Sequence, residues 1–210
     1  MPAATQSPKT SRSLATARRL AALEPSATLA MAARASALAA AGVDVIDLSV
    51  GEPDFPTPEH ICRAAEAAIR AGKTKYTPAA GIPALRQAVA DDATRRTGLV
   101  ITPAQVVVSN GAKHALHNVF TALLDEGDEV IVPTPYWVSY AELIKLAGAR
   151  PVLVETRIED DFKLRPQALR GAITRRTRML LVCSPSNPTG VVYDEAELAA
   201  LADVAIEHDL

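Results

Sequence analysis

The chain has 210 residues, 49% of them hydrophobic, and a formal net charge of −2, which gives it a substantial core and excludes an intrinsically disordered polyelectrolyte. Lys and Arg total 22 against 24 for Asp and Glu, without a long run of one sign, so neither a nucleic-acid tract nor an anionic membrane surface is expected as a partner. No stretch approaches the ~20 apolar residues of a membrane span. The basic leader with Lys9, Arg12, Arg18 and Arg19 lacks the apolar run of a secretory signal.

In chain order, the pattern predicts helices over Ala15 to Leu23 and Thr28 to Ala41, the second with Ser26 as N-cap and Gly42 as its stop. Val45 to Leu48 reads as a short strand. The proline-rich loop Gly51-Glu52-Pro53-Asp54-Phe55-Pro56-Thr57-Pro58 follows, with Thr57 capping a helix that Pro58 begins and Gly72 ends. From Ile101 onward, β-branched runs at Val106 to Val108, Val130 to Val132, Val152 to Val154 and Met179 to Val182 predict strands. Helical stretches at Ala112 to Leu124, Trp137 to Ala147 and Pro166 to Ile173 alternate with them. This βαβα rhythm is that of a parallel sheet with helices on both faces. A last helix begins near Asp194, where Glu197 completes a capping spacing. No strand follows it, so the sheet reads as unfinished.

Three loops carry candidate chemistry. Ser109-Asn110-Gly111-Ala112-Lys113 places small residues and a helix start after a β-branched run, an arrangement suited to an anion. It matches neither a Walker A nor a GxGxxG pattern, and Lys113 could equally face water. Pro133-Thr134-Pro135-Tyr136-Trp137 holds the one tryptophan in the sequence, whose indole could stack on a flat ring or sit in a core. Ser184-Pro185-Ser186-Asn187-Pro188-Thr189-Gly190 brackets the Asn187 amide between prolines, as a ligand donor or as a plain turn. A plain-turn reading does not explain three such loops converging on one sheet edge.

Taken together with Gly51-Glu52-Pro53-Asp54-Phe55 and with Lys75-Tyr76-Thr77-Pro78-Ala79-Ala80-Gly81-Ile82-Pro83-Ala84-Leu85-Arg86, these loops resemble the class I pyridoxal-phosphate-dependent aminotransferases, and within them the bacterial aspartate aminotransferase subgroup. The resemblance runs from about Pro25 to Leu210. It implies an α/β fold of aminotransferase type I, with residues 1–50 as an amino-terminal arm and part of the small domain. Residues 51–210 would form the amino-terminal part of the large, incomplete cofactor-binding domain. It further implies that Gly111, Ala112 and Lys113 hold the cofactor phosphate, that Trp137 stacks on the pyridine ring, and that Asn187 donates to its phenolic oxygen. Gly51 would lie by the substrate carboxylate, with Trp137 and Asn187 also facing substrate. Tyr76 would reach the phosphate held by a neighbouring subunit, which implies a homodimer.

The implied activity is amino-group transfer between an amino acid, aspartate or a related one, and a 2-oxo acid. The alternatives are a lyase of the same fold and cofactor, or a non-catalytic truncated product. The family's Asp-Glu-x-Tyr strand, Ser-Lys motif and carboxyl-terminal arginine have no counterpart in the 210 residues. None of Lys73, Lys75, Lys113, Lys145 or Lys163 has the context of the imine lysine. The chain is therefore expected to be an amino-terminal fragment that is inactive alone. Cys62 and Cys183 are the only cysteines and read as small apolar residues in a reducing cytoplasm. His114 and His117 share a helix face, but nothing completes a metal site around them. No metal, nucleic acid or membrane enters this reading.

Overall fold

The structure, a computed structural model, describes residues 16–49 and 51–210. Contacts divide the chain into two compact units, Met1–Glu24 with Leu124–Leu210, and Pro25–Leu123.

The first unit is built on a three-stranded parallel sheet of order β2-β1-β3, with β1 Glu129–Thr134, β2 Arg150–Glu155 and β3 Thr177–Leu180. Ile131 lies opposite Val152 on one side and Leu180 on the other. Val130, Ile131 and Val132 are all fully buried. Because successive side chains point to opposite faces, both faces of β1 are covered, as expected of a parallel sheet. Ile131 joins Leu164, Leu169, Tyr193, Leu201 and Val204 in one core cluster. Those residues bring α6 (Pro166–Ala172) and α7 (Glu195–Glu207) onto the sheet. Helix α5 (Ser139–Leu146) packs on β1 and β2 and buries Tyr140, Ala141 and Ile144.

Sequence signals account for most helix ends. Asp194 accepts from the Glu197 N–H at 2.8 Å while Glu197 accepts from the Asp194 N–H at 2.9 Å, closing the expected capping box of α7. Lys163 pairs with Glu197 at 2.7 Å and so ties the start of α7 to the segment before α6. In the second unit Ser26 caps α1 (Ala27–Ala40) through the Leu29 N–H at 3.3 Å. Helix α2 runs Glu59–Arg70, α3 Pro83–Thr97 and α4 Gly111–Leu123.

The structure departs from the sequence expectations at several places. Of the helix expected over Ala15 to Leu23, a 3-10 turn at Arg18–Ala22 is present, and Ala15 lies outside the described residues. Val45 to Leu48 joins no ladder among the described residues, and Asp47 accepts from both the N–H and the hydroxyl of Ser49, at 2.9 and 2.6 Å, turning the chain. Val106 to Val108 is not a strand either. The Val106 carbonyl is taken by Arg86 Nε at 2.9 Å, and the Val108 N–H donates to the Ala80 carbonyl at 3.0 Å, which uses ladder groups locally. Helix α2 begins at Glu59 after Pro58, without a side-chain cap from Thr57. Helix α5 starts two residues after Trp137, and β3 ends two residues before Val182, within ordinary boundary scatter. Helix α3 was not anticipated, although Pro83 at its first turn and Gly98 at its left-handed end, φ 72°, signal it.

Glu129 opens β1 almost wholly buried, 3% exposed. It accepts from the Thr174 hydroxyl at 2.7 Å and pairs with Arg150. Chiefly the Thr174 hydrogen bond, aided by Arg150 and against burial, holds its carboxyl below the usual range. A depressed folded-state pKa contributes stability above the unfolded carboxyl value of about 4.3, and that contribution is lost as pH falls through the folded value. Glu129→Gln is expected to lose about 1–3 kcal/mol at pH 7 and to show a smaller drop in Tm between pH 7 and pH 3 than the parent. Equal acid sensitivity of the two proteins in thermal unfolding would contradict this.

Candidate functional site

Parallel strands release their following loops at the same end of a sheet. β1 delivers Pro135, Tyr136 and Trp137 to this carboxyl edge, and its neighbour β3 delivers the loop 181–190. The Leu181 N–H still bonds the Ile131 carbonyl at 2.9 Å, so the second loop departs in register with the first. Asn187, Ser186 and Cys183 line a crevice with Tyr136, Tyr140 and Tyr193. The space inside is about 20 Å³, room for a water molecule and too little for an aromatic ring.

The second of these loops is fixed on itself and on the core. The Ser186 N–H donates to the Val191 carbonyl and the Gly190 N–H to the Ser186 carbonyl, both at 2.8 Å. The Tyr193 N–H donates to Ser184 Oγ at 3.0 Å, while the buried Tyr193 hydroxyl accepts from the Leu164 N–H at 2.7 Å. Burial, foremost, pushes the Tyr193 phenol up. The bonds Ser184-Pro185 and Asn187-Pro188 are cis, as is Thr134-Pro135 in the first loop. Asn187 is left exposed at the tip.

The Trp137 indole is half-buried and meets the Tyr140 ring edge-to-face, with centroids 5.4 Å apart and planes at 90°. Tyr140 is buried; burial first, and then the neighbouring Cys183 thiol, push its phenol up to about 12. The Cys183 thiol donates to the Pro185 carbonyl at 3.2 Å. Sequence reasoning passed over Tyr140 and treated Cys183 as filler. The signal was the three-residue spacing of Trp137 and Tyr140 at a helix start.

The Ser109–Lys113 turn belongs to the other unit and follows a segment that joins no sheet among the described residues, so two of the three loops follow strands of one sheet edge. Gly111 opens α4 with φ 80° and nothing within 4 Å of where a side chain would begin. Its φ favours glycine, and the open space admits a ligand to the first-turn amides, which have no partner four residues back in a helix. The Asn110 N–H is held by His114 Nδ1 at 3.0 Å, giving that histidine a structural role in the turn. Ala112 and Lys113 are exposed. Gly51 also has open space around its α-carbon, and Tyr76 is fully exposed on its loop.

That loop is pinned beside the segment leading into α4. Arg86 bonds the Val106 and Pro103 carbonyls, at 2.9 and 2.5 Å, and a side chain at Gly81, φ 105°, would come within 2.5 Å of Val108 Cγ2. Among the described residues, no group of three His, Cys, Asp or Glu could hold a metal, and no helix is long and apolar enough to cross a membrane.

The chain matches the model of aminotransferase class I and II over residues 43–210, and it belongs to that family. Membership implies pyridoxal phosphate as cofactor. Among its relatives, the aspartate aminotransferase of Bacillus subtilis is 52% identical over 194 residues, 92% of this chain and 49% of that protein. The aspartate/prephenate aminotransferase of Thermus thermophilus is 53% identical over 192 residues, 91% of this chain and 50% of that protein. The solved aspartate aminotransferase from Thermus thermophilus with maleate superposes with a TM-score of 0.91 at 52% identity, covering 94% of this chain and 52% of that one. The fold is thus aminotransferase type I, and the chain spans about half the length of the curated relatives it matches.

Gly81→Ala is expected to cost more than the ~1–2 kcal/mol of a left-handed non-glycine residue, since it also strikes Val108. Gly98→Ala, with φ 72° and nothing within 4 Å, is the control for the backbone cost alone. Equal losses in Tm for the two variants would show that the close approach to Val108 does not matter.

Proposed function

We propose that the complete protein transfers an amino group between aspartate, or a related amino acid, and a 2-oxo acid with pyridoxal phosphate, as a cytoplasmic homodimer. The observation that carries this reading is the pairing of Trp137 and Asn187 on loops from adjacent parallel strands, in a chain of this family. The residues fit the cofactor. A helix start opened by Gly111 suits a phosphate dianion, and an indole and a side-chain amide suit a flat, oxygen-bearing ring.

When bound, pyridoxal phosphate supplies an electron sink for negative charge developing beside the substrate nitrogen. The amides of Gly111, Ala112 and Lys113 would hold its phosphate. Trp137 would cover one ring face and keep water from it, and Asn187 would donate from its side-chain amide to the phenolic oxygen. Gly51, having no side chain, leaves its backbone open to a substrate carboxylate. Tyr76, free of burial in this chain, would serve the phosphate site of a neighbouring subunit, and residues 51–210 would belong to the large domain.

Proton transfer at the substrate carbon needs a lysine of lowered basicity. Lys145 and Lys163 do not qualify: Glu142 and Glu197 respectively bond them, and those hydrogen bonds push both ammonium groups up. The complete polypeptide is expected to convert aspartate and 2-oxoglutarate, and Asn187→Ala to lower kcat/KM by about ten- to hundredfold, the worth of a hydrogen bond to a charged group. The 210 residues alone are expected to give no turnover. Steady-state assays check all three, and wild-type activity in Asn187→Ala would remove Asn187 from the site.

A further inference from the structure

Tyr140 belongs neither to the phosphate turn nor to the donors assigned above, yet it stands between the two loops of the carboxyl edge. Its ring packs edge-to-face on Trp137 at 5.4 Å and 90°. The side chain is buried to 9% exposure on α5 and lines the crevice shared with Asn187 and Ser186. Cys183, on the loop that carries Asn187, lines the same crevice. A half-buried indole in a loop has two side-chain torsions to settle, and a ring fixed perpendicular to it on a helix removes that freedom. The backbone also closes here: the Tyr140 N–H bonds the Trp137 carbonyl at 2.9 Å, which sets the turn.

We infer that Tyr140 is a positioning residue, whose ring sets the plane of the Trp137 indole for a planar ligand. The role rests on the cofactor reading given above. Tyr140 acts through Trp137 and touches no reacting atom.

The test uses the complete protein labelled with 5-fluorotryptophan, the Trp137 resonance being the one lost in Trp137→Phe. Without ligand, Tyr140→Leu is expected to move this fluorine resonance toward its unfolded position by removing the ring current of the facing phenol, while Tyr140→Phe, which keeps the ring, leaves it near the parent value. Pyridoxamine phosphate, which needs no lysine bond, is then titrated. Tyr140→Leu is expected to weaken its binding by about two- to tenfold, the worth of an aromatic pair, and Tyr140→Phe to bind within about twofold of the parent. Should the leucine variant not fold, Tyr140→Met, a flexible side chain of similar reach, makes the same comparison. A resonance unmoved in Tyr140→Leu or Tyr140→Met, or moved with unchanged affinity, overturns the inference while the cofactor reading stands. Failure of pyridoxamine phosphate to bind the parent protein overturns both.

Discussion

The first unit depends on β1 being sealed on both faces and bonded on both edges. Val130, Ile131 and Val132 are fully buried, and burying side chains of this size is worth about 1.5–3 kcal/mol each. A slip of one residue would exchange the faces of all three. Register is also pinned at both ends of the sheet. At the amino ends, Glu129 gathers Arg150 of β2 and Thr174 just before β3. At the carboxyl ends, Thr156 donates to the Thr134 carbonyl, and the Leu181 N–H donates to the Ile131 carbonyl. The loops bearing Trp137 and Asn187 inherit their positions from that register.

Charge pairs on the surface weigh little beside this. Arg63 and Glu59 are 67% and 75% exposed, and pairs so exposed are worth about 0–1 kcal/mol. The second unit has fewer buried side chains to rely on: α1 and α2 contain no buried residue, and Leu29, Phe55 and Ile69 stand largely in solvent. Its shape near α4 comes instead from local devices, namely Arg86 on two carbonyls, Gly81 against Val108 and His114 on the Asn110 N–H. The candidate phosphate turn is therefore shaped by backbone geometry more than by a core.

Much of this was legible beforehand because it is local or periodic. The capping pairs at Ser26 and at Asp194 with Glu197, the β-branched runs of all three strands, and the family motifs around Trp137 and Asn187 each follow from a few adjacent residues. The misses share a cause. Val45 to Leu48 and Val106 to Val108 have strand composition, but a strand needs a partner: an Asx turn from Asp47 bends the chain at Ser49, and Arg86, distant in sequence, takes the Val106 carbonyl. Helix α3 carries a weak apolar period, with Ala90 its one buried residue, so only its end signals mark it. Tyr140 and Cys183 are 43 positions apart in the numbering, and no spacing rule joins them before the parallel pairing of β1 and β3 is known.

The placement of the ring-facing groups has an energetic logic. Loops are where a ligand is met, and a loop side chain that must be ordered at the moment of binding costs about 0.5–1.5 kcal/mol each time. Here Trp137 is ordered by a helical tyrosine, and the Asn187 loop closes on its own carbonyls and on Tyr193, which is anchored in the core cluster. The ordering is supplied by folding. Lys145 and Lys163 contribute nothing comparable, since they are paired as cations with Glu142 and Glu197. On the proposed reading, recognition of a flat, anionic ligand and proton transfer to it are separable tasks: Trp137 and Asn187 would serve the first, while the second requires a basic nitrogen that the Lys145 and Lys163 ion pairs do not offer.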